Sequence, residues 1–167
     1  ILSSVNISES MSMLYSIFNA LDASFILKVK SHPLNNLDYE VKSLYNRVSI
    51  NCKLQILPAR ESYFKHIVSS DAVIFCNSTI GIESLALNVP SVSFEIYNSI
   101  KSFDIIEVDD SLYRATNSLE IQNALQSIKN NDDVLRKKKK TWEKTLSDTF
   151  YKLDGLSGHR LLDIIKS

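Results

Sequence analysis

The chain has 167 residues, 44% of them hydrophobic, with 19 Lys and Arg balanced by 19 Asp and Glu for a formal net charge of zero. This length makes one domain with a sizeable buried core, and the balanced charge argues against a nucleic-acid binder, which would carry a marked basic excess. No apolar run reaches membrane-spanning length, and no basic segment followed by an apolar stretch opens the chain. These features predict a cytoplasmic chain without signal peptide or membrane span, and the start at Ile1 rather than Met reads as a piece of something longer.

In chain order, residues 1–5 read as a first strand. Ser8, Glu9 and Ser10 open a helix with Met11, Leu14, Tyr15, Phe18 and Leu21 on one apolar stripe. A second strand at 25–30 precedes a helix at 37–47 with Leu37, Val41, Leu44 and Tyr45 inward. A third strand at 52–57 ends at Pro58. A helix at 61–68, a strand at 72–76, a helix at 80–88 and a strand at 91–96 follow, with 104–108 as a sixth strand. Strands alternating with helices at this spacing predict an α/β fold: a Rossmann-like, doubly wound, mainly parallel sheet of about six strands with helices on both faces.

Beyond Asp110 the character changes. Residues 112–116 make at best a short edge strand, and the rest reads as helical: one helix from Ser118 with Ile121, Leu125 and Ile128 inward, then a break and cap at Asn130-Asn131-Asp132-Asp133. The next helix, about 134–151, carries five consecutive basic residues, Arg136 to Lys140. At about 100° per residue these point in nearly all directions, so the helix projects into solvent along much of its length. Such a helix is either simply solvated or drawn to an anionic membrane surface. Gly155 and Gly158 bracket a turn before a last helix at 160–165. The expected organisation is a Rossmann-like core over 1–117 with helices at 118–167 packing on the same domain.

Two strand ends carry chemistry. After the strand at 72–76, Asn77, Ser78 and Thr79 stand between a strand's carboxyl end and a helix's amino end, where unpaired N–H groups and the helix dipole attract an anion. Ser and Thr are also ordinary helix caps, so capping alone would account for them equally well. The strand at 25–30 ends in Lys30-Ser31-His32-Pro33, and Pro33 forces the chain to turn there. His32 can donate to a phosphate and Lys30 can add charge, although an inert loop histidine is the commoner case. Ligands of open parallel sheets gather at such ends. Cys52 and Cys76 lie in apolar stretches and read as buried reduced thiols, and with three scattered His residues they offer no metal-ligand spacing. Two glycosylation acceptor patterns, at Asn6 and Asn77, carry no meaning in a chain without an export signal.

Lys30-Ser-His-Pro33, the Leu57-Pro58 strand end, Ser70-Asp-Ala-Val-Ile74 and Asn77-Ser-Thr-Ile-Gly-Ile-Glu83 followed by Leu87-Asn-Val-Pro90 together resemble the carboxyl-terminal domain of GT-B-type glycosyltransferases of bacterial surface polysaccharides. The similarity is to the polysialyltransferase and Kdo-transferase group, with its Lys-x-His-Pro segment and Ser/Thr pair, and it spans about 1–165. It implies that Lys30, Ser31, His32, Asn77, Ser78 and Thr79 surround a phosphate of a donor nucleotide, with His32 as the catalytic contact. It further implies that Glu83 accepts hydrogen bonds from the ribose hydroxyls and that Leu57, Pro58 and Arg60 lie beside the base.

The chain lacks the Gly-rich loop that many such enzymes place near a diphosphate, which leans toward a CMP-linked acidic sugar over a UDP-sugar. The implied activity is sugar transfer in capsule or lipopolysaccharide synthesis, with charge on the leaving phosphate stabilised by a helix amino end and a His. No Asp-x-Asp segment is present, in keeping with a metal-independent mechanism without cofactor. The acceptor glycan and general base belong to a missing amino-terminal domain, so this piece should bind nucleotide without turnover, in the cytoplasm or peripherally at the inner face of the plasma membrane. Alternatives are a nucleotide-sugar epimerase, a CDP-polyol phosphotransferase, or, in another class, a non-enzymatic receiver-type signalling domain. The last would need a carboxylate after the first strand, where this chain has Asn6-Ile7-Ser8.

Overall fold

The computed structural model describes residues 7–31, 36–48, 52–58, 60–76, 78–96, 111–150 and 152–157. Helix α1 (Ile7–Ala20) buries Met13, Leu14, Ile17 and Phe18, one face at helical spacing. Leu14, Phe18 and Leu21 point inward as expected, but Tyr15 is exposed. The stripe centres on Met13 and Ile17 instead, leaving the polar-tipped ring on the wet shoulder of the helix.

Strands β1 (Ile26–Lys30) and β2 (Lys53–Leu57) pair in parallel, from Ile26 opposite Lys53 to Lys30 opposite Leu57. Helix α2 (Asp38–Arg47) connects them. Leu37 and Val41 are buried beneath it, and the Tyr45 hydroxyl donates to the Cys52 carbonyl at 3.0 Å while its ring meets Phe18 edge-on at 5.9 Å. Cys52 and Cys76 are both buried free thiols, and desolvation pushes the pKa of each upward. Helix α3 (Phe64–Val68) is shorter than the expected 61–68, because the Glu61 N–H bonds the Pro58 carbonyl and holds the preceding residues in a turn.

The second sheet comprises β3 (Val73–Phe75), β4 (Ser91–Phe94) and β5 (Tyr113–Ala115), all parallel. Helix α4 (Ile80–Ala86) links β3 to β4. It ends two residues before the expected 88, where Asn88 takes φ 60 and the Val89 N–H bonds the Ser84 carbonyl. Asn tolerates that left-handed conformation, and Pro90 follows. Gly81 lets α4 settle directly on the Phe75 ring: a Cβ at this position would collide with it.

Helix α5 (Ser118–Asn130) is capped by Asn117, whose side chain accepts the Glu120 N–H, while Glu120 reaches back to the Thr116 N–H at 2.7 Å. Asn131, with φ 46, closes it, and Asp132 then receives the Val134 and Leu135 N–H groups to open α6 (Asp133–Phe150). This break and cap fall where the sequence pattern put them.

Helix α6 is less detached than its basic run predicts. Trp142, Thr145 and Leu135 are buried, the Trp142 indole donates to the Ser111 carbonyl at 3.0 Å, and Ser111 bonds the hydroxyls of Thr141 and Thr145. Lys138 turns back over the Tyr113 ring and donates to the Leu112 carbonyl at 2.6 Å. A flexible Lys stem can lie along apolar surface while its ammonium finds an acceptor, so only Arg136, Lys137, Lys139 and Lys140 of the run face outward.

The architecture is α/β with parallel strands, but the described residues form five strands in two sheets, β2–β1 and β3–β4–β5, rather than about six in one. The expected strands at 1–5 and 104–108 and the helix at 160–165 lie outside the described residues. Among the described residues no ladder joins β1 to β3. One apolar cluster from Met13 to Trp142 nevertheless serves both. Among the described residues no helix is long and apolar enough to cross a membrane.

Candidate functional site

The described candidate residues stand at or just past the carboxyl ends of β1, β2 and β3 in the chain. Lys30 closes β1 and is 6% exposed; its ammonium donates to the Pro58 carbonyl just past β2, at 3.3 Å. Its charge therefore laces two strand ends together beneath the surface. Ser31 is fully buried, accepting the Leu37 N–H at 3.2 Å and donating to Asp38 Oδ1 at 2.9 Å. This hydroxyl organises the entry to α2 instead of facing the rim. Leu57 is half-buried, and Pro58 and Arg60 are exposed beside it. His32 and Asn77 lie outside the described residues.

At the third strand end the Ser/Thr pair divides its work. Ser78 Oγ accepts the Ile80 N–H at 3.3 Å, a weak capping contact that uses an oxygen lone pair and leaves the hydroxyl proton for another acceptor. Thr79 occupies the cap position of α4 without a side-chain cap bond; its hydroxyl instead donates to Glu83 Oε1 at 2.8 Å. The capping reading thus holds for Ser78 and not for Thr79.

Glu83 lies one turn into α4, and both of its oxygens are engaged. The second, Oε2, accepts the Tyr63 hydroxyl at 2.6 Å. That bond, followed by burial and the carboxylate's charge, pushes the Tyr63 pKa up to about 12, so the phenol remains a donor throughout the neutral range. Tyr63 lies on the turn before α3, with its ring 4.5 Å from that of Phe64. Its participation was not legible in the sequence: it is 20 residues from Glu83, and no spacing rule links the two. A neighbouring turn carries Glu61, whose carboxyl is held below its ordinary range by Lys65 first and then by His66, 3.1 Å away.

Chemically, the rim offers a carboxylate fixed by two hydroxyl donors, with lone pairs left for further hydroxyls. It also has a serine hydroxyl at a helix start, while the lysine charge at the end of β1 is buried against the Pro58 carbonyl. Such a set can hold a polyol beside an anion. Among the described residues no three His, Cys, Asp or Glu side chains cluster as metal ligands would. No family model, curated protein or solved structure matches the chain.

Proposed function

We propose that the chain is a nucleotide-binding α/β domain of the doubly wound kind, and more particularly the donor half of a metal-independent GT-B-type glycosyltransferase of surface-polysaccharide synthesis. Its donor is a CMP-linked acidic sugar in preference to a UDP-sugar. One observation carries the reading: Glu83, the residue that the sequence resemblance assigns to the ribose, has its carboxylate immobilised at the strand-end rim by Tyr63 and Thr79. A glutamate that accepts from a vicinal diol gains from being pre-oriented by such donors.

In this reading Glu83 receives the ribose hydroxyls, Ser78 and His32 face the phosphate, and Lys30 adds positive charge from below the rim. Leu57, Pro58 and Arg60 border the base. As the glycosidic bond breaks, negative charge grows on the leaving phosphate, where fixed donors stabilise it most. The acceptor glycan and the general base belong to a partner domain, and the reaction takes place on the cytoplasmic side of the membrane.

A thermal-shift series with CMP, CDP, UDP and GDP tests the reading, because a ligand that binds only the folded chain raises its melting temperature. The expected result is a shift with CMP larger than with UDP. No shift with any of the four overturns the reading.

A further inference from the structure

Helix α6 packs against α4 and α5, and its inner face is fixed by Leu135, Trp142 and Thr145, all buried. Lys138 leaves the basic run on that side, folded over the Tyr113 ring onto the Leu112 carbonyl. Lys139 lies to one flank, 5.6 Å from the Trp142 ring. Arg136, Lys137, Lys140 and Lys144 are all exposed. At about 100° per residue they share an arc of about 100° opposite the buried face. From Arg136 to Lys144 this ridge extends about 12 Å along the helix axis. Asp133 occupies Arg136, but among the described residues Lys137, Lys140 and Lys144 have no ion-pair partner.

The charge is segregated, not in excess. α6 carries six of the 19 basic residues and three of the 19 acidic ones, so the rest of the chain is net acidic. A flat anionic surface meets the ridge alone and leaves that acidic remainder in solvent, whereas a polyanion that wraps around the molecule meets both. Exposed apolar side chains accompany the ridge: Val134 at its first turn, and Leu153 and Leu156 a few residues past the helix. A lipid interface takes up cationic and apolar side chains together, and a polyanion in solution takes up only the cations.

We propose that the outward face of α6 docks this protein reversibly on an anionic lipid surface, the helix lying along the surface with Lys137, Lys140 and Lys144 against the headgroups. Each lysine near an anionic leaflet adds its own attraction, so a ridge of several holds the chain where one would not. The attraction fades within a Debye length, which makes the docking salt-dependent and reversible. It asks nothing of the strand-end rim and stands whether or not the donor-site reading holds.

Co-sedimentation of the intact chain with vesicles tests it. The chain should bind vesicles of phosphatidylcholine mixed with phosphatidylserine, should not bind phosphatidylcholine alone, and should dissociate as salt is raised. Changing Lys137, Lys140 and Lys144 together to Gln should weaken binding about 100-fold, each lysine being worth about fivefold. Changing Lys42, Lys53 and Lys65 to Gln removes the same charge from exposed positions outside α6 and should keep most of the binding. All six are exposed surface positions, where substitution leaves the fold intact. No binding to the mixed vesicles overturns the proposal, as does equal binding to phosphatidylcholine alone or an equal loss in the two triple variants. Tighter binding to heparin or duplex DNA than to the mixed vesicles at the same salt also overturns it, by marking the ridge as a polyanion site.

Discussion

The Tyr63 hydroxyl donates to Glu83 Oε2 at 2.6 Å while Thr79, one turn earlier on α4, donates to Oε1 at 2.8 Å, so a carboxylate at the strand-end rim is held at both oxygens. Removing the phenol leaves one of them without its fixed donor. Tyr63→Phe should weaken CMP binding by about tenfold, the scale of one hydrogen bond to a charged group, with a smaller loss for deoxy-CMP. Glu83→Gln should lose more of the same preference. Calorimetric titration of both nucleotides against both variants checks this, and equal losses for the ribo and deoxy forms would show that the pair is structural.

Ser78 and Thr79 should separate in function because Thr79 donates its hydroxyl proton to Glu83, whereas Ser78 only accepts, from the Ile80 N–H. Ser78→Ala should weaken CMP but spare cytidine, whereas Thr79→Val should weaken both. The expected losses are about 1.5–3 kcal/mol for a bond to a charged group. Titrations with CMP and cytidine distinguish them; a cytidine loss in Ser78→Ala contradicts its placement at the phosphate.

Alkaline titration reads the Tyr63 bond directly. The pKa of Tyr63 rises from 10.0 in the free phenol to about 12 in the folded chain, so between those values the folded state keeps a proton that the unfolded state releases. The contribution to stability is complete below pH 10 and disappears as pH rises through about 12. Melting temperature measured across that window should fall in the parent chain and fall less in Tyr63→Phe.

Gly81→Ala should destabilise the fold by about 1–3 kcal/mol, the range for forcing an added methyl into a packed core, because its Cβ meets the Phe75 ring. Pairing it with Phe75→Leu should recover part of the loss. Urea denaturation of the single and double variants measures both, and additive losses would mean that the two sites do not touch.

Asp132 joins α5 to α6. Its carboxyl lies below the ordinary aspartate range, chiefly through the Ser127 hydroxyl at 2.7 Å and then through the Leu135 N–H. A lowered folded value contributes stability above the ordinary aspartate pKa, and that contribution is lost as pH falls through the folded one. Asp132→Ala should lower the melting temperature by about 2–4 °C near neutrality, and the gap should narrow on acidification. A gap independent of pH would remove the charge from the account.

Much of this arrangement was legible in the residues. Pro and Asn punctuation marked the ends of β2, α4 and α5, and the apolar runs at 25–30, 72–76 and 91–96 contain β1, β3 and β4. The rim was legible only as a list of candidates. Lys30 and Ser31 stand at a strand end as expected, but each is turned into the fold: Lys30 to Pro58, because a buried ammonium needs an acceptor, and Ser31 to Asp38 and Leu37, because the entry to α2 needs a cap. Tyr15 left the apolar stripe and Lys138 left the solvated face for similar reasons, a polar tip seeking water and an ammonium seeking a carbonyl.

By itself, then, the sequence determined what depends on neighbours along the chain: the alternation of strand and helix, the places where backbone geometry forbids continuation, and the amphipathic faces of the helices. Those are set by dihedral preference and by periodicity within a few residues. Only the tertiary structure decided that Tyr63 meets Glu83 and that Lys138 lies on Tyr113. These depend on which surfaces meet when the core is buried, and residues 20 or more apart in the chain carry no local signal of that meeting.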